Sequence, residues 1–243
     1  MAETVEVVAV PALNDNYIWM LRDPASGEVA VVDPGQDAPA LDAANKRGWR
    51  ISQILTTHWH PDHTGGNSAI KAATGATITA PAEAERLGPV DRIVAEGDRV
   101  AVGELEAMVW DIPAHTAGHI AFYFEEAKMI FVGDTLFAMG CGRLFEGDAT
   151  QMFANMARFA GLPDDVRVYC GHEYTLANAR FAAHVDPGNA AVGERLDKVA
   201  AMRDRGEITL PTTIGEERAT NPFLRAADAA DLARLRTMKD SFG

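Results

Sequence analysis

The chain has 243 residues, of which 47% are hydrophobic and 23% are charged, so it can bury the core of one large domain or of a medium domain with a small one. Its net charge of -13 disfavours long-range attraction to nucleic acid or to an anionic membrane. The start of the sequence lacks the basic and apolar regions of a signal peptide, so we expect a cytoplasmic protein whose two cysteines are reduced. No dimerisation segment stands out, and we expect a monomer without nucleic-acid or membrane partners.

Strand and helix signals alternate through the first two-thirds of the chain. Polar turns separate predicted strands at 4–10, 17–22 and 28–33, and Gly48 ends a predicted helix at 38–47. The remaining predictions are a buried strand at 51–57, a helix at 65–74, strands near 76–80, 105–112, 120–124, 129–132 and 166–170, and a helix at 149–160. From Tyr174 onward only helices are predicted, at 175–184, 189–205 and 227–239, so we place a domain boundary there.

Four potential metal ligands lie within six positions, directly after the buried strand at 51–57. His58 and His60 are two residues apart in an extended segment, so their side chains point the same way and can share one metal ion. Asp62 and His63 follow Pro61, where the chain turns, and can reach a second ion. A single histidine is usually a packing or surface residue, but this density of ligands indicates a metal site.

Three further ligand-type residues follow the ends of predicted strands, namely His115, Asp134 and His172. A carboxylate such as Asp134 can bridge two cations with its two oxygens. Imidazole and carboxylate ligands without thiolate suit zinc, iron or manganese. The sequence therefore predicts a metal-dependent hydrolase with two metal ions and a coordination position left open for water.

The pattern His-x-His-x-Asp-His, followed by a histidine, an aspartate and a last histidine, resembles the metallo-β-lactamase superfamily. Longer segments resemble, within it, the hydroxyacylglutathione hydrolase (glyoxalase II) family, and the resemblance runs nearly from end to end. These segments are Thr56-Thr57-His58, Gly133-Asp134-Thr135-Leu136-Phe137, Cys141-Gly142-Arg143, Gly171-His172-Glu173-Tyr174-Thr175, Asp186-Pro187-Gly188-Asn189, Asn221-Pro222-Phe223-Leu224-Arg225 and Arg236-x-x-Lys239-Asp240-x-Phe242.

The resemblance implies an α/β fold, an αββα metallo-β-lactamase-like sandwich over residues 1–173 with a C-terminal helical substrate-binding domain over 174–243. It implies hydrolysis of S-(2-hydroxyacyl)glutathione thioesters, chiefly S-D-lactoylglutathione, to glutathione and D-lactate by a hydroxide that bridges the metals, in methylglyoxal detoxification. Zinc is the expected metal, with iron or manganese as alternatives.

The resemblance also implies a role for each ligand. One metal ion takes His58, His60 and His115, and the other takes Asp62, His63 and His172. Asp134 bridges the pair, so that Asp62 and Asp134 hold the catalytic water. The implied substrate-binding residues are Arg143, Phe145, Tyr174, Arg236 and Lys239.

The sequence departs from the family at two substrate positions, since lysine is common where Arg143 stands and tyrosine where Phe145 stands. Arginine still pairs with a carboxylate, whereas Phe145 loses one hydroxyl. The glutathione tripeptide carries two carboxylates, so a chain this acidic needs a local cationic cluster, which Arg143, Arg236 and Lys239 would form.

Other candidates have plainer interpretations. His119 is expected to orient a ligand, and Asp33 to support one without binding metal. His184 is expected to be solvated, and Cys141 and Cys170 to be packing residues, because neither motif contains a base for a nucleophilic thiol.

An alternative function is that of a sulfur dioxygenase of the same fold, which uses one iron and glutathione persulfide. Such enzymes typically lack the helical tail that carries Arg236 and Lys239, so this is our second choice. Three other functions of the same fold are disfavoured. A β-lactamase usually requires an export signal, and an enzyme that processes nucleic acid does not suit the acidic charge of the chain. A non-catalytic relative would have lost metal ligands, whereas all seven are intact here.

Overall fold

A computed structural model describes residues 5–242, so Thr4, where the first strand was predicted to begin, lies outside the described residues. The chain divides into two compact units. The first runs to Asp111 and includes Gly118–Gly133, and the second comprises Ile112–Ala117 and the residues from Asp134 onward. The domain boundary predicted at residue 174 stays a prediction.

The first unit contains a six-stranded sheet. Its strands are β1 (Glu6–Ala12), β2 (Asn16–Arg22), β3 (Val29–Val32), β4 (Ile51–Leu55), β5 (Thr77–Ala80) and β6 (Arg92–Ile93), in that order across the sheet. The first three are antiparallel neighbours, whereas β3 to β6 run parallel. β3 is buried along its whole length, as an apolar strand in the middle of a sheet should be.

Helices of the first unit cover this sheet. They are α1 (Asp37–Arg47), α2 (Pro61–Thr64) and α3 (Asn67–Thr74), with a 3-10 helix at Ala82–Arg86. α1 ends where Gly48 adopts the left-handed conformation, with a φ of 66°, and its N–H caps the helix carbonyls. Small residues such as Ala40 and Ala44 let α1 pack closely on the valines and isoleucines of the sheet.

The first unit also contains an antiparallel ladder of four strands, β7 (Arg99–Val102), β8 (Leu105–Asp111), β9 (Ile120–Phe124) and β10 (Met129–Gly133). All residues of β9 and β10 are buried, which accounts for their uninterrupted apolar sequences.

The second unit is mostly helical. Its elements are the hairpin β11 (Leu136–Phe137) and β12 (Gly140–Cys141), then α4 (Ala149–Ala160), β13 (Arg167–Cys170), α5 (Thr175–Val185), α6 (Ala190–Asp204), β14 (Thr212–Thr213), α7 (Ile214–Thr220) and α8 (Ala229–Asp240). The caps are visible in the sequence, since Asp148 with Gln151 and Thr213 with Glu216 form capping boxes at the starts of α4 and α7.

The buried carboxylate of Glu217 connects α7 to the β11–β12 hairpin. One of its oxygens accepts hydrogen bonds from the Met139 N–H (2.7 Å) and the Asn221 amide (2.8 Å). The other accepts from Arg195 (2.7 Å) and Thr212 (2.6 Å). A fully buried charge is stable only when its partners are this complete, so this network fixes the hairpin against the tail.

One helix begins later than predicted, and one prediction of secondary structure is wrong. The helix predicted at 65–74 begins at Asn67, because Gly65 and Gly66 separate α3 from the short α2, which ends at Thr64. The Gly66 N–H instead donates to the Pro34 carbonyl (2.7 Å). The C-terminal part is also not wholly helical, since β14 pairs antiparallel with β13. The strand β7, the hairpin β11–β12 and the helix α7 were not predicted.

Asp23 closes the turn between β2 and β3. Its carboxylate accepts hydrogen bonds from the Ser26 hydroxyl (2.6 Å) and from the backbone N–H groups of Ala25, Ser26 and Glu104 (2.9–3.1 Å). Burial by itself would raise the pKa of Asp23, but these donors outweigh it and lower the pKa below its ordinary value. Ionised Asp23 therefore stabilises the first unit.

Replacing Asp23 by alanine should reduce the free energy of unfolding at pH 7 by about 1–3 kcal/mol, because it leaves several donors unpaired. Since the folded pKa is lowered, this stabilisation is present above the unfolded pKa and disappears as the pH falls through the folded pKa. Urea denaturation at pH 7 and pH 3 measures both effects. The control Asp42→Ala removes an exposed carboxylate that pairs with the exposed Lys46 on α1 and should change little. An equal loss in both variants would contradict the role of Asp23.

Candidate metal centre and substrate surface

The ligand loop of the first unit follows β4 and brings imidazole groups together. The Nε2 of His58 lies 3.1 Å from the Nδ1 of His60, and the ring of His58 lies 4.2 Å from that of His63, centroid to centroid. The other end of the loop places the Asp62 Oδ2 3.5 Å from the Nε2 of His63. All four ligand-type residues of the sequence motif therefore converge.

Asp33 orients this loop from beneath. Its carboxylate accepts hydrogen bonds from the N–H and the hydroxyl of Thr57, both at 2.7 Å, and lies 3.2 Å from the Nδ1 of His63. The Thr57 hydroxyl lies 3.0 Å from the Nδ1 of His58. Ligand-type atoms of Asp33, His58 and His63 all lie within 4.8 Å of one another. Since Asp33 faces the inner ring nitrogen of His63, it fixes the ring and leaves Nε2 for a metal.

A close backbone approach fixes the same loop. A Cβ at Gly35 would lie 2.0 Å from the carbonyl oxygen of Asp62, nearer than atoms can pack. Only glycine therefore allows the chain after Asp33 to lie against the chain that carries Asp62.

The second unit brings together its own three ligand-type residues. The Oδ2 of Asp134 lies 3.5 Å from the Nε2 of His115 and 3.1 Å from the Nε2 of His172. The Nδ1 of His115 lies 2.9 Å from the carbonyl oxygen of Arg143, which leaves Nε2 facing Asp134. One carboxylate oxygen thus lies between two buried imidazoles.

Aromatic rings surround these histidines. The ring of Tyr174 stacks on that of His172 (4.6 Å between centroids, 4° between planes), and Phe137 packs edge-on against both. Phe145 packs edge-on against His115 at 5.2 Å. Phe145 is 60% exposed and Tyr174 36%, so both present apolar surface to solvent beside a ligand-type histidine.

The predicted cationic residues meet on the second unit. Arg143 is exposed, and its guanidinium lies 3.7 Å from the carboxylate of Asp240. Arg236 is only 7% exposed; it donates to the Cys141 carbonyl (2.8 Å), and a second nitrogen lies 3.0 Å from Asp240. Lys239 donates to the Ala177 carbonyl at 3.2 Å. Burial, then the nearby Arg236 and Arg143, lowers the pKa of Lys239.

The remaining candidates lie where the sequence suggested. The ring of His119 stacks on that of His58 (4.4 Å between centroids) and so backs a ligand-type residue. His184 is exposed. Cys141 and Cys170 are buried free thiols, and burial raises the pKa of Cys141 to about 11 and that of Cys170 to about 12, which leaves neither suited to act as a nucleophile.

Family models match nearly all of the described chain. Residues 13–172 match the metallo-beta-lactamase superfamily, and residues 173–242 match the C-terminus of hydroxyacylglutathione hydrolase. The chain belongs to the hydroxyacylglutathione hydrolase family. The α/β, metallo-β-lactamase-like fold with a C-terminal helical domain is thereby confirmed.

Curated members of this family are similar over most of their length. The hydroxyacylglutathione hydrolase of Methylococcus capsulatus is 47% identical, with 95% of this chain and 91% of the relative covered. That of Pseudomonas aeruginosa is 50% identical, with 92% and 87% covered. Both alignments span the metal motif and most of the tail.

Solved structures share the fold at lower identity. ETHE1 from Myxococcus xanthus superposes with a TM-score of 0.73 at 23% identity, with 97% of this chain and 90% of that chain covered. TTHA1623, crystallised in a di-iron-bound form, has a TM-score of 0.65 at 25% identity, with 90% and 99% covered. Identity this low shows the fold alone.

The donors in both units fit divalent metal ions, as expected in this family. His58, His63 and His115 each turn Nδ1 toward a protein oxygen 2.9–3.2 Å away, and this contact sets the ring so that Nε2 can coordinate. Imidazole nitrogens and carboxylate oxygens without thiolate are ligands for zinc, iron or manganese. The residues therefore support divalent metal binding.

The substitution Gly35→Ala should displace the ligand loop, because the new methyl group overlaps the Asp62 carbonyl. We expect a loss of about 1–3 kcal/mol of stability together with a lower metal content after purification, measured by thermal unfolding and elemental analysis. The control Gly193→Ala lies within α6, where nothing is within 4 Å of the new Cβ, and should stabilise by roughly 0.5–1 kcal/mol. A Gly35→Ala protein with full metal content would contradict this account of the loop.

Proposed function

We propose that this protein hydrolyses S-(2-hydroxyacyl)glutathione thioesters, chiefly S-D-lactoylglutathione, to glutathione and D-lactate. The observation that carries the proposal is the match of residues 173–242 to the hydroxyacylglutathione hydrolase C-terminus, combined with an intact set of metal ligands before it. Relatives 47% and 50% identical carry the same name. In the cell the reaction would take place in the cytoplasm and complete the detoxification of methylglyoxal.

The proposed metal centre holds two divalent ions. We assign His58, His60 and His115 to one ion and Asp62, His63 and His172 to the other, with Asp134 as the bridge. The position of the Asp134 Oδ2 within 3.5 Å of both His115 and His172 supports the bridging role, because these two histidines are assigned to different ions. Zinc is our first choice, with iron or manganese as alternatives; the name of TTHA1623 records iron for that relative of the fold.

Two bound cations would supply a nucleophilic water at neutral pH and a Lewis acid for the thioester carbonyl. The protein's own residues hold the ligands in place, since Asp33 fixes His63 and the Arg143 carbonyl fixes His115. The glutathione thiol, with an ordinary pKa of about 8.5, leaves as a thiolate without a protein acid. No side chain of the ligand motifs has to act as a proton donor.

The substrate would bind on the surface of the second unit. Phe145 and Tyr174 offer exposed rings beside His115 and His172, suited to the apolar part of the acylated cysteine. Arg143 and Lys239 offer positive charge for the tripeptide carboxylates. Arg236 is also proposed at this surface, where its hydrogen bond to the Cys141 carbonyl would mainly hold β12 in place.

The alternative, a sulfur dioxygenase acting on glutathione persulfide, is not favoured. The curated relatives at 47–50% identity carry the name hydroxyacylglutathione hydrolase, and the chain has the matching helical tail. Oxygen consumption with glutathione persulfide would establish the alternative.

Purified protein should hydrolyse S-D-lactoylglutathione, followed by loss of the thioester absorbance, and should contain two metal ions per chain by elemental analysis. Asp134→Ala should lose metal and activity together, with kcat reduced at least about 100-fold, because both proposed ions lose the shared oxygen. Wild-type protein loaded with metal but inactive on this thioester would overturn the proposed substrate. Full activity in Asp134→Ala would overturn the two-metal account.

Arg143→Ala and Lys239→Ala should each raise KM for the thioester by about 10-fold with little change in kcat, because these side chains would bind the substrate equally in the ground and transition states. Steady-state kinetics provides the test. The matched control is Arg234→Ala, which removes the same charge from an exposed position on α8 where Arg234 pairs with Asp231. A fall in kcat at unchanged KM would contradict a role in binding, as would an equal effect of the control.

A further inference from the structure

One side chain at the turn between β1 and β2, that of Asn16, contacts the metal-ligand loop. Asn16, the first residue of β2, is buried, and its amide nitrogen donates to the Oδ2 of Asp62 (3.0 Å) and to the Asp62 carbonyl oxygen (3.2 Å). These two residues are 46 positions apart in the chain. In the sequence this segment predicts only a polar turn.

Asp62 needs such a partner more than the neighbouring His63 does. Its side chain is 38% exposed, whereas that of His63 beside it is 1% exposed. An exposed carboxylate can rotate among several conformers, and each conformer lost on metal binding reduces affinity. Asn16 donates to the same oxygen that lies 3.5 Å from the His63 Nε2, so it holds that oxygen next to a ligand nitrogen.

The geometry points to Asn16 as a positioning residue that fixes the conformation of Asp62 for metal binding. This inference rests on the metal centre proposed above, to which it adds a residue outside the ligand motif. An amide suits the task, because it donates hydrogen bonds without carrying a charge. A lysine here would repel a cation, and an aspartate would repel Asp62.

The backbone around Asn16 is itself held in place. Asn16 pairs with Ala12 in the β1–β2 ladder, and the N–H of Leu13 in the turn donates to the side chain of Gln36 (3.0 Å). The amide is therefore presented from a fixed hairpin. An orientation imposed by a rigid element is retained before metal arrives, which lowers the conformational cost of binding.

The test is a metal titration of the apo protein with Zn²⁺ against a chromophoric chelator, without substrate. Asn16→Ala and Asn16→Leu both remove the donor, and the leucine variant retains most of the side-chain volume in case the smaller variant folds poorly. We expect the dissociation constant of the Zn²⁺ step that uses Asp62 to rise by about 10–100-fold. The dissociation constant of the other step should stay within about threefold of wild type. Cobalt substitution should show a matching change in the absorption spectrum of one site only.

The matched control is Asn67→Ala. Asn67 is a similarly buried amide of the same unit, but it donates to the Thr56 hydroxyl (3.0 Å) and not to a proposed ligand. Two binding steps of wild-type affinity in both Asn16 variants would overturn the inference, and so would an equal loss of affinity in both steps. Weakening of a single step in Asn67→Ala would overturn it as well. A wild-type protein that binds fewer than two ions would instead overturn the proposed metal centre itself.

Discussion

Three buried histidines of the ligand motifs each turn the inner ring nitrogen toward a protein oxygen, and the rest of the site depends on these contacts. His58 faces the Thr57 hydroxyl, His63 faces Asp33, and His115 faces the Arg143 carbonyl. A neutral imidazole has one donor and one acceptor nitrogen, so an acceptor at Nδ1 leaves the Nε2 lone pair for a cation. The strands, the glycine contacts and the hairpins can be understood as the means of holding these three acceptors in place.

The local part of this arrangement could be predicted from the sequence. Apolar strands followed by His58, Asp134 and His172 predicted ligands at strand ends, and the structure brings the ligand-type residues of each unit together. The strand at Ile120–Phe124 and the helix at Ala149–Ala160 were predicted to the residue, because their hydrophobic patterns and the Asp148 cap are local signals.

The remainder depends on contacts that a local pattern does not contain. The helix predicted at 65–74 begins only at Asn67, because the Gly66 N–H donates to the Pro34 carbonyl, about thirty residues earlier in the chain. β14 has only two residues and exists because Thr212 and Thr213 pair with β13. Arg236 was expected in the cationic cluster, and no nearby residue in the sequence indicates that it is buried and donates to the Cys141 carbonyl. From the sequence, Asn16 was predicted only as part of a polar turn, because no nearby residue indicates that its side chain reaches Asp62.

The net negative charge of the chain and the positive side chains Arg143, Arg236 and Lys239 have opposite effects on an anionic substrate. With a net charge of -13, the protein would repel an anionic tripeptide at a distance, and Debye screening limits that repulsion to about 10 Å. At the proposed substrate surface Arg143, Arg236 and Lys239 carry positive charge, while Asp240 partly neutralises Arg143 and Arg236. The summed charge of these four side chains is thus positive but moderate, which would suit a product that must also be released.

Arg143 contributes to the site in two separable ways. Its backbone carbonyl accepts from the ring of His115, whereas its side chain extends to Asp240 on the exposed surface. Any amino acid provides the carbonyl, so the identity of the side chain is free to change while the metal ligand stays supported. A change of side chain at this position would therefore alter the proposed substrate surface without removing the support of His115, and the arginine here, where the resemblance leads us to expect lysine, is a change of that kind.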